Sequence, residues 1–360
     1  MSDFLFSLYM NKILVTGGCG YIGAHTIVDL IKNGFEVISA DNNSRSNDNI
    51  LESVEKITGK KVKNYKVDLC IYDDTVAIFQ ENPDINGIIH FAAYKSVGES
   101  VKKPLLYFEN NLNSLINILK CADEFKISNF VFSSSCTVYG NPDEIVVTEE
   151  TPMKAAESAY GATKQMGELI VKEAVNCNDS KAILLRYFNP VGAHPSALMG
   201  ELPLGKPENL VPAITQTAVG KLPVMNVYGS DYDTRDGSCI RDYIHVCDIA
   251  HAHTLALNYL IQNRNETNCD IFNLGTGNGI SVLELITEFE KVSGVKLNYR
   301  IGPRRPGDVI AIYANNDKAK NLLGWTPKFS LNEMMLTAWK WELKLKNDEN
   351  LFKTQIAGLN

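Results

Sequence analysis

The fold class is decided by the stretch Ile13-Leu14-Val15-Thr16-Gly17-Gly18-Cys19-Gly20-Tyr21-Ile22-Gly23. A short apolar run here enters a turn with three spaced glycines, Gly17, Gly20 and Gly23, and an amphipathic stretch over residues 22–32 follows. Glycines at this spacing permit a tight turn, a close approach of backbone N–H groups to a pyrophosphate, and close packing of the helix on the strand. The order therefore predicts a dinucleotide-binding unit, and the plainer alternative is an ordinary turn between a strand and a helix.

The same alternation of strand and helix continues through the N-terminal half. The further apolar runs that we predict as strands cover residues 35–40, 62–67, 87–91, 129–132 and 182–185. Helical periodicity separates them and is clearest over 105–125 and 160–175. Continuous apolar strands separated by helices predict a parallel sheet that is covered on both faces. The predicted fold class is therefore α/β, with the doubly wound parallel sheet of the Rossmann architecture.

The pattern changes near residue 190, where prolines become frequent and helices and short strands mix without regular alternation. We interpret this part as a smaller C-terminal α/β lobe that caps the carboxyl edge of the sheet, with helices over 246–261 and 282–292. We expect a dinucleotide-binding domain over 10–190, a lobe mainly for substrate over 191–345, and a polar tail over 346–360. Met1 and Met10 both remain possible starts, because the first strand begins directly after Met10.

Composition excludes several classes of function. The chain has 360 residues, a net charge of −7 and no block of Lys or Arg, which argues against nucleic acid as a partner. Its eight cysteines form no Cys-x-x-Cys motif, and His251 and His253 would point apart on a helix, so no metal site is predicted. The first nine residues are too short for a secretory signal or a membrane span. We therefore expect a cytoplasmic protein without a membrane partner.

Two acidic residues follow predicted strands. Asp41 ends the second strand, where a carboxylate can accept hydrogen bonds from a ribose hydroxyl and would repel a 2′-phosphate. This position favours NAD over NADP as the cofactor, and the alternative is a turn residue before Asn42. Asp68, after the third strand, is expected near the adenine edge.

A second set of residues can handle protons. Tyr160 and Lys164 are four residues apart, so they share one face of a helix. A neighbouring ammonium and a cationic nicotinamide would both favour the phenolate of Tyr160 and make it a usable base. Ser135 ends the fifth strand, where open α/β sheets place their sites. The alternative is a buried tyrosine and a surface lysine on an amphipathic helix.

Longer motifs give these residues a context. They are 15–23 (Val-Thr-Gly-Gly-Cys-Gly-Tyr-Ile-Gly), 90–100 (His-Phe-Ala-Ala-Tyr-Lys-Ser-Val-Gly-Glu-Ser), 132–140 (Phe-Ser-Ser-Ser-Cys-Thr-Val-Tyr-Gly), 185–195, 241–246, 273–277 and 303–308. In these motifs the chain resembles the extended short-chain dehydrogenase/reductase family, and within it the branch that inverts the 4-hydroxyl of UDP-sugars. The resemblance runs from about residue 10 to residue 341.

The resemblance implies an NAD-dependent, reversible exchange of UDP-glucose and UDP-galactose through a 4-keto sugar. Tyr160 would take the 4-hydroxyl proton while hydride leaves C4, and Ser135 and Thr137 would orient the sugar. Arg241 and Arg305 suit the diphosphate because guanidinium groups donate in a fork, although a lobe-stabilising salt bridge is the alternative. The implied cofactor contacts are Gly17, Gly20, Tyr21, Ile22, Gly23, Asp41, Asn42, Asp68, Leu69, Phe91, Ala92, Ala93, Lys95, Asn110, Tyr160, Lys164 and Phe188.

The implied substrate contacts lie mainly in the C-terminal half. They are Lys95, Ser135, Thr137, Tyr160, Asn189, Asn209, Leu210, Val227, Tyr228, Arg241, Arg305, Asp308 and Ile312. Ile312 falls where relatives carry either a bulky Tyr or a small residue such as Cys, a position thought to limit the sugar 2-substituent. Its intermediate size leads to the hypothesis that UDP-GlcNAc and UDP-GalNAc are tolerated to some extent.

Four rival functions share the fold. Nucleotide-sugar dehydratases resemble this chain but carry an Asp-Glu pair next to the equivalent of Ser135, because elimination of water needs an added acid and base. Cys136 and Thr137 cannot supply that pair, and decarboxylating relatives carry Glu in place of Thr137. A net reductase matches the uridine-sugar motifs less well. A non-catalytic NAD-binding regulator would be expected to lose Tyr160 or Lys164, and both are present.

The predicted helices over 105–125 and 160–175 carry apolar residues on more than one face, for example Leu112, Leu115, Ile116 and Leu119. A helix that is apolar beyond its core stripe needs a second partner. Relatives pair such helices into a four-helix contact, so the resemblance implies a homodimer.

Overall fold

A seven-stranded parallel sheet forms the larger part of the molecule. The computed structural model describes residues 11–203, 205–304 and 309–347. The strands of this sheet are β1 (Lys12–Thr16), β2 (Glu36–Ala40), β3 (Asn64–Tyr65), β4 (Ile85–His90), β5 (Asn129–Ser135), β7 (Lys181–Tyr187) and β11 (Cys269–Leu274). Their order across the sheet is β11-β7-β5-β4-β1-β2-β3, and all neighbours are parallel. The strand order reverses at β1, so the doubly wound α/β prediction is confirmed.

Two layers of helices cover this sheet. The helices of the chain are α1 (Tyr21–Lys32), α2 (Ile50–Thr58), α3 (Tyr72–Glu81), α4 (Val97–Lys102), α5 (Pro104–Glu124), α6 (Ala159–Asn176), α7 (Leu210–Ala218), α8 (Val246–Ile261), α9 (Val282–Ser293) and α10 (Leu331–Asn347). Ile13 and Val15 of β1 belong to one apolar core, whereas Leu14 belongs to another on the opposite face. A central strand with both faces buried reads as a continuous apolar run, which is why the sequence signal was strong.

The predicted strands and helices differ from the structure in two places. The run over 62–67 forms only the two-residue strand β3, because Lys63 and Lys66 are exposed and the strand lies at the sheet edge. The assignment of α8 to the smaller lobe was wrong. Its buried residues Ala252, Ala256 and Leu257 pack in the same core as Ile27 of α1, so α8 covers the large sheet.

The seventh strand, β11, was not predicted. It lies well beyond residue 190 in sequence and pairs along its whole length with β7. Both β11 and α8 therefore return the chain to the large sheet after it has entered the smaller lobe, and a single cut at residue 190 does not separate the two parts.

Short strands build the smaller lobe. They are β6 (Val146–Val147), β8 (Asn189–Val191), β9 (Met225–Tyr228), β10 (Ile240–His245), β12 (Gly279–Ser281), β13 (Tyr299–Gly302) and β14 (Ala311–Ala314). Strands β12, β10, β14 and β6 lie in that order, β8 adds to β10, and β13 pairs with β9. Helices α7, α9 and α10 pack there around a core that contains Ile214, Phe289 and Met335.

The expected polar tail over 346–360 lies mostly outside the described residues, and its first two residues end α10. Within the described ranges, no helix is both long and apolar enough to cross a bilayer.

Candidate active site

The glycine turn after β1 is closed to any side chain. Gly17 has φ +67°, and a Cβ on it would stand 2.8 Å from the backbone nitrogen of Ala92. A Cβ on Gly23 would collide with the carbonyl oxygen of Gly17. The N–H of Gly20 donates to that same carbonyl at 3.0 Å. The three glycines therefore serve the turn and the helix packing as predicted from their spacing.

The turn leads into an uncapped helix. Gly20 precedes α1, no side chain caps the helix, and its first turn carries no acidic residue. The free N–H groups and the positive end of the helix dipole make this terminus suitable for an anion. Tyr21 fixes the start of the helix, because its hydroxyl donates to the carbonyl of Gly192 at 2.6 Å. Ile22 follows in the first turn and packs against the adjoining core.

Asp41 lies directly after β2, and its carboxylate accepts hydrogen bonds from nearby turn residues. Its carboxylate accepts from the N–H groups of Cys19 at 3.1 Å and Asn43 at 2.9 Å, and from the hydroxyl of Ser46 at 2.8 Å. Burial raises the pKa of Asp41, and these donors oppose the rise. The structure thus shows the turn role of Asp41, while its bond to Cys19 places the carboxylate beside the glycine turn.

Most of the other proposed cofactor residues follow neighbouring strands at the carboxyl edge of the large sheet. Asn42 and Asp68 each accept a backbone N–H two residues later, at 3.0 and 2.9 Å. Phe91, Ala92 and Ala93 follow β4, where Ala92 N–H donates to Thr16 at 3.3 Å. The remaining residues are Leu69, whose carbonyl accepts from Asn117, Asn110, whose carbonyl accepts from Cys70, and Phe188, which is buried at the end of β7.

Ser135, Tyr160 and Lys164 meet at the carboxyl end of β5. Ser158 caps α6 and accepts from Gly161 N–H at 3.1 Å, which places Tyr160 in the first turn. The hydroxyl of Ser135 lies near the phenol of Tyr160, where it lowers the pKa of that phenol. The Nζ of Lys164 lies 5.9 Å from the centre of the Tyr160 ring and donates to the carbonyl of Ser133 at 2.5 Å. The three side chains are therefore within one small site.

The charges of this set differ from the sequence-based expectation. Burial raises the pKa of Tyr160, and its bond with Ser135 opposes the rise. Burial also lowers the pKa of Lys164 to about 7, while the charge of Glu168 opposes that fall. In the protein without NAD, desolvation is the largest influence on Tyr160 and disfavours the phenolate. A bound cation next to Tyr160 would have to lower the pKa of the phenol for the phenolate to form.

Two polar atoms beside this set lack partners. The Oγ1 of Thr137 and the Oδ1 of Asn189 are buried and have no hydrogen bond within the described residues. Asn189 begins β8, and Thr137 follows Ser135 in a short 3₁₀ turn. Buried polar atoms in native proteins are nearly always hydrogen-bonded, so both atoms point to a polar group that belongs there.

Strands of the smaller lobe place further residues nearby. Arg241 on β10 is the register partner of Ile312 on β14. Ile312 is buried in a cluster with Val138 and Phe188, next to the end of β5. On β9, Val227 is buried, whereas the side chain of Tyr228 is 42% exposed. Arg305 and Asp308, predicted as substrate contacts, lie outside the described residues.

Glu201 is a residue that the sequence did not reveal. Its carboxylate accepts from Lys95 at 3.1 Å and from Asn209 at 2.6 Å, so it joins a predicted cofactor contact to a predicted substrate contact. Asn209 lies directly before α7, which starts at Leu210. A single acidic residue in a loop has no periodicity or spacing that would mark it.

A doubly wound sheet with a glycine turn after β1 and a Ser-Tyr-Lys set after β5 defines an enzyme of the extended short-chain dehydrogenase/reductase class. Residues 14–337 match the family described as GDP-mannose 4,6 dehydratase. The chain is 46% identical to a UDP-glucose 4-epimerase of Bacillus subtilis over 92% of its own length and 96% of that protein. The chain belongs to the UDP-glucose 4-epimerase family.

Two solved structures are similar throughout. A UDP-glucose 4-epimerase from Stenotrophomonas maltophila, with bound NAD and formylated UDP-arabinopyranose, is 44% identical with a TM-score of 0.90. It aligns over 94% of this chain and 99% of that chain. The enzyme from Bifidobacterium longum, in complex with NAD+ and UDP, is also 44% identical, with a TM-score of 0.89 and the same shares.

Proposed function

We propose that this protein interconverts UDP-glucose and UDP-galactose by an NAD-dependent epimerisation at C4 of the sugar. The observation that carries the proposal is the Ser135-Tyr160-Lys164 set at the carboxyl end of β5, beside the glycine turn of β1. Full-length relatives of 46% identity with this activity in their name support it. The uncapped start of α1 and the glycine turn fit NAD, because they offer backbone N–H donors for a pyrophosphate.

The reaction divides between the cofactor and the side chains. When bound beside the glycine turn, NAD would supply the hydride acceptor and donor for C4 of the sugar. Tyr160 removes the proton of the 4-hydroxyl and later gives it back, while Ser135 holds the same oxygen through its hydroxyl. Lys164 supports the negative charge that develops on Tyr160, because an ammonium close to the phenol favours the phenolate.

The remaining predicted contacts are part of the proposal. On the cofactor side we propose Asp41 for the ribose hydroxyls, Asp68 for the adenine edge, and Lys95 with Asn110 beside them. On the substrate side, Thr137 and Asn189 carry the two unpartnered buried atoms, which suits a polar sugar. The outer substrate contacts that we propose are Asn209, Leu210, Val227, Tyr228, Arg241, Arg305, Asp308 and Ile312.

The division of labour follows the two parts of the molecule. We propose that residues 10–190, completed by α8 and β11, bind the cofactor and that most of 191–345 binds the UDP-sugar. The rival elimination reaction lacks its acid and base, because Cys136 and Thr137 occupy the segment after Ser135. Cytoplasmic localisation stays a prediction from the sequence.

We also propose that the protein is a homodimer. Helices α5 and α6 pack on each other and leave large apolar side chains in solvent. Leu105 is 79% exposed, Leu169 60% and Met166 45%. Exposed apolar side chains on two helices that pack together offer a surface that a second copy of the chain can cover.

The proposed function is tested with the purified protein loaded with NAD. UDP-galactose is added without any reductant, and the nucleotide sugars are separated and measured over time. The proposal requires UDP-glucose to appear until both sugars coexist at equilibrium, with no net consumption of NAD. If bound NAD is present and no UDP-glucose forms, the protein is not a 4-epimerase of this sugar.

A further inference from the structure

A third ionisable residue continues the row that Tyr160 and Lys164 form along α6. Glu168 lies one further turn along α6, so the three residues follow each other on one face of the helix. Both Lys164 and Glu168 are only 4% exposed. A carboxylate is rarely buried without partners, because its removal from water costs several kcal/mol. The surroundings of Glu168 therefore need an explanation.

Arg186 and Ser134 of the large sheet form a socket around the carboxylate of Glu168. Arg186 on β7 donates from Nε to Oε1 at 2.8 Å and from Nη2 to Oε2 at 2.6 Å. The hydroxyl of Ser134 on β5 donates to Oε1 at 2.5 Å. Ser134 and Arg186 are register partners on neighbouring strands, so the sheet presents both donors on the same face. A forked pair of this kind fixes the carboxylate in direction as well as position.

Arg186 is itself fixed from another side. Its Nη1 donates to the hydroxyl of Tyr139 at 3.1 Å, and that hydroxyl donates to Asn273 at 2.6 Å. Tyr139 is fully buried, and Asn273 lies on β11. The socket is thus complete within the protein and does not depend on a ligand.

The serine run of β5 joins each member of the row to the sheet. The carbonyl of Ser133 accepts from Lys164, the hydroxyl of Ser134 donates to Glu168, and Ser135 lies near Tyr160, whose pKa it lowers. Three successive residues of one strand therefore set the positions of three side chains on α6. Only two of these side chains belong to the reaction as proposed above.

Resting on the proposed function, we propose that the Glu168–Arg186 pair is a positioning unit that keeps the Lys164 ammonium charged and in place beside Tyr160. The physical reason is the burial of Lys164. Desolvation disfavours its ammonium form, and the carboxylate one turn away opposes that effect. Arg186 and Ser134 hold Glu168 so that its charge cannot turn toward solvent.

Other groups face the same site and bear on its charge. His90 on β4 faces Lys164, and burial with this neighbouring charge lowers its pKa to about 3, so it stays neutral. The neutral or weakly acidic groups that face Tyr160 are Cys136, Tyr107 on α5 and Tyr187 on β7. Glu168 is therefore the acidic group whose charge raises the pKa of Lys164.

A merely structural ion pair would also be destabilising to break, so the test needs more than activity. The holoenzyme is prepared with lysine isotopically labelled at Cε, and the Lys164 resonance is assigned by its absence in Lys164→Arg. Its titration is then followed by NMR in the wild type, in Glu168→Gln and in Glu168→Asp. The pH profile of kcat for UDP-galactose is recorded on the same three proteins.

The matched control is Glu342→Gln in the smaller lobe. Glu342 is likewise 4% exposed and is bound by Lys221 at 2.7 Å and Thr215 at 3.2 Å. Its substitution should reduce stability without any effect on the Lys164 titration. If Glu168→Gln does not fold, the double variant Glu168→Gln/Arg186→Met removes both charges of the pair and replaces it in the experiments.

The expected result is a fall of the Lys164 titration midpoint by about one pH unit in Glu168→Gln, with partial recovery in Glu168→Asp. The alkaline limb of the pH profile of kcat should shift to lower pH by a similar amount. Turnover at pH values above that limb should then be roughly tenfold lower. An unmoved Lys164 midpoint, with turnover reduced equally at all pH values, overturns the proposal. A wild type without epimerase activity refutes the proposed function instead, and the NMR titration still decides the role of Glu168.

Discussion

Ile312 lies directly across from Arg241 on the neighbouring parallel strand. Register partners in a parallel pair carry their side chains on the same face of the sheet, so a buried isoleucine shares a face with the arginine proposed for the diphosphate. Ile312 also contacts the cluster that contains Phe188 and Val138, close to the end of β5. Its side chain is thus buried close to both Arg241 on β10 and the segment that follows Ser135.

The first prediction concerns the size of the sugar. Replacement of Ile312 by Ala should raise kcat/KM for UDP-GlcNAc by about tenfold relative to wild type, because space for a substituent at C2 is worth roughly 1–3 kcal/mol. Ile312→Tyr should abolish turnover of that substrate. Both variants should retain turnover of UDP-galactose within a few-fold, and competition assays with the two sugars measure the ratio directly.

Wild-type protein serves as the reference for that ratio. Complete inactivity of the wild type with UDP-GlcNAc would refute the tolerance hypothesis for Ile312. An equal loss with both sugars in Ile312→Ala would show a packing defect instead, which thermal unfolding would reveal.

Removal of the Tyr160 hydroxyl should reduce turnover without weakening the binding of substrate or cofactor. In Tyr160→Phe the ring remains, but no group is left to take the 4-hydroxyl proton, so we expect kcat to fall by about 10²–10⁴-fold. KM for UDP-galactose and the amount of bound NAD should change little. Ser135→Ala should cost less, because it removes one hydrogen bond to the same oxygen. A parallel loss of nucleotide binding in Tyr160→Phe would indicate a structural role.

The sequence predicted the elements that depend on interactions within a few residues, and it missed those that depend on contacts between distant segments. The helix around Tyr160 was expected over 160–175 and forms as Ala159–Asn176, since periodicity and the Ser158 cap both act within a few residues. The pairing of β11 with β7 was missed, because strand order depends on contacts between distant segments. Glu201 was missed for the same reason. The sequence does not show burial, which raises the pKa of Tyr160 in the protein without NAD.

The glycine turn provides a direct test of the cofactor site. Gly23→Ala should reduce bound NAD at least tenfold, because the added Cβ collides with the carbonyl oxygen of Gly17, which is backbone and must move. Gly302→Ala is the matched control, since its Cβ would meet nothing closer than the Val227 carbonyl oxygen at 3.9 Å. NAD content is measured after denaturation of the purified proteins. Full NAD content in Gly23→Ala would contradict the proposed placement of the cofactor.

The buried lysine should make stability depend on pH. The pKa of Lys164 is lowered from 10.5 to about 7 in the folded protein. Below pH 7 both states hold the proton, and the folded state carries the whole cost of a buried ammonium. Between about pH 7 and pH 10.5 the unfolded chain binds more protons than the folded chain, so the free energy of unfolding contributed by Lys164 rises with pH.

Lys164→Met lacks this titration. Its gain in the free energy of unfolding over wild type should therefore be largest below pH 7, of the order of 4 kcal/mol, and should shrink as the pH rises toward 10. Urea titrations at a series of pH values measure the difference. Lys172→Met, an exposed lysine on the same helix, is the control and should show no such trend. A pH-independent difference for Lys164→Met would contradict the buried-ammonium description.

The apolar surface of α5 and α6 should determine the oligomeric state. Leu169 is 60% exposed in the isolated chain, and Leu169→Glu would place a charge in the proposed contact between two copies. We expect this variant to have the mass of a monomer by light scattering, whereas the wild type has twice that mass. Leu322→Glu, another partly exposed leucine outside α5 and α6, should remain dimeric. A monomeric wild type at working concentration would refute the proposed homodimer.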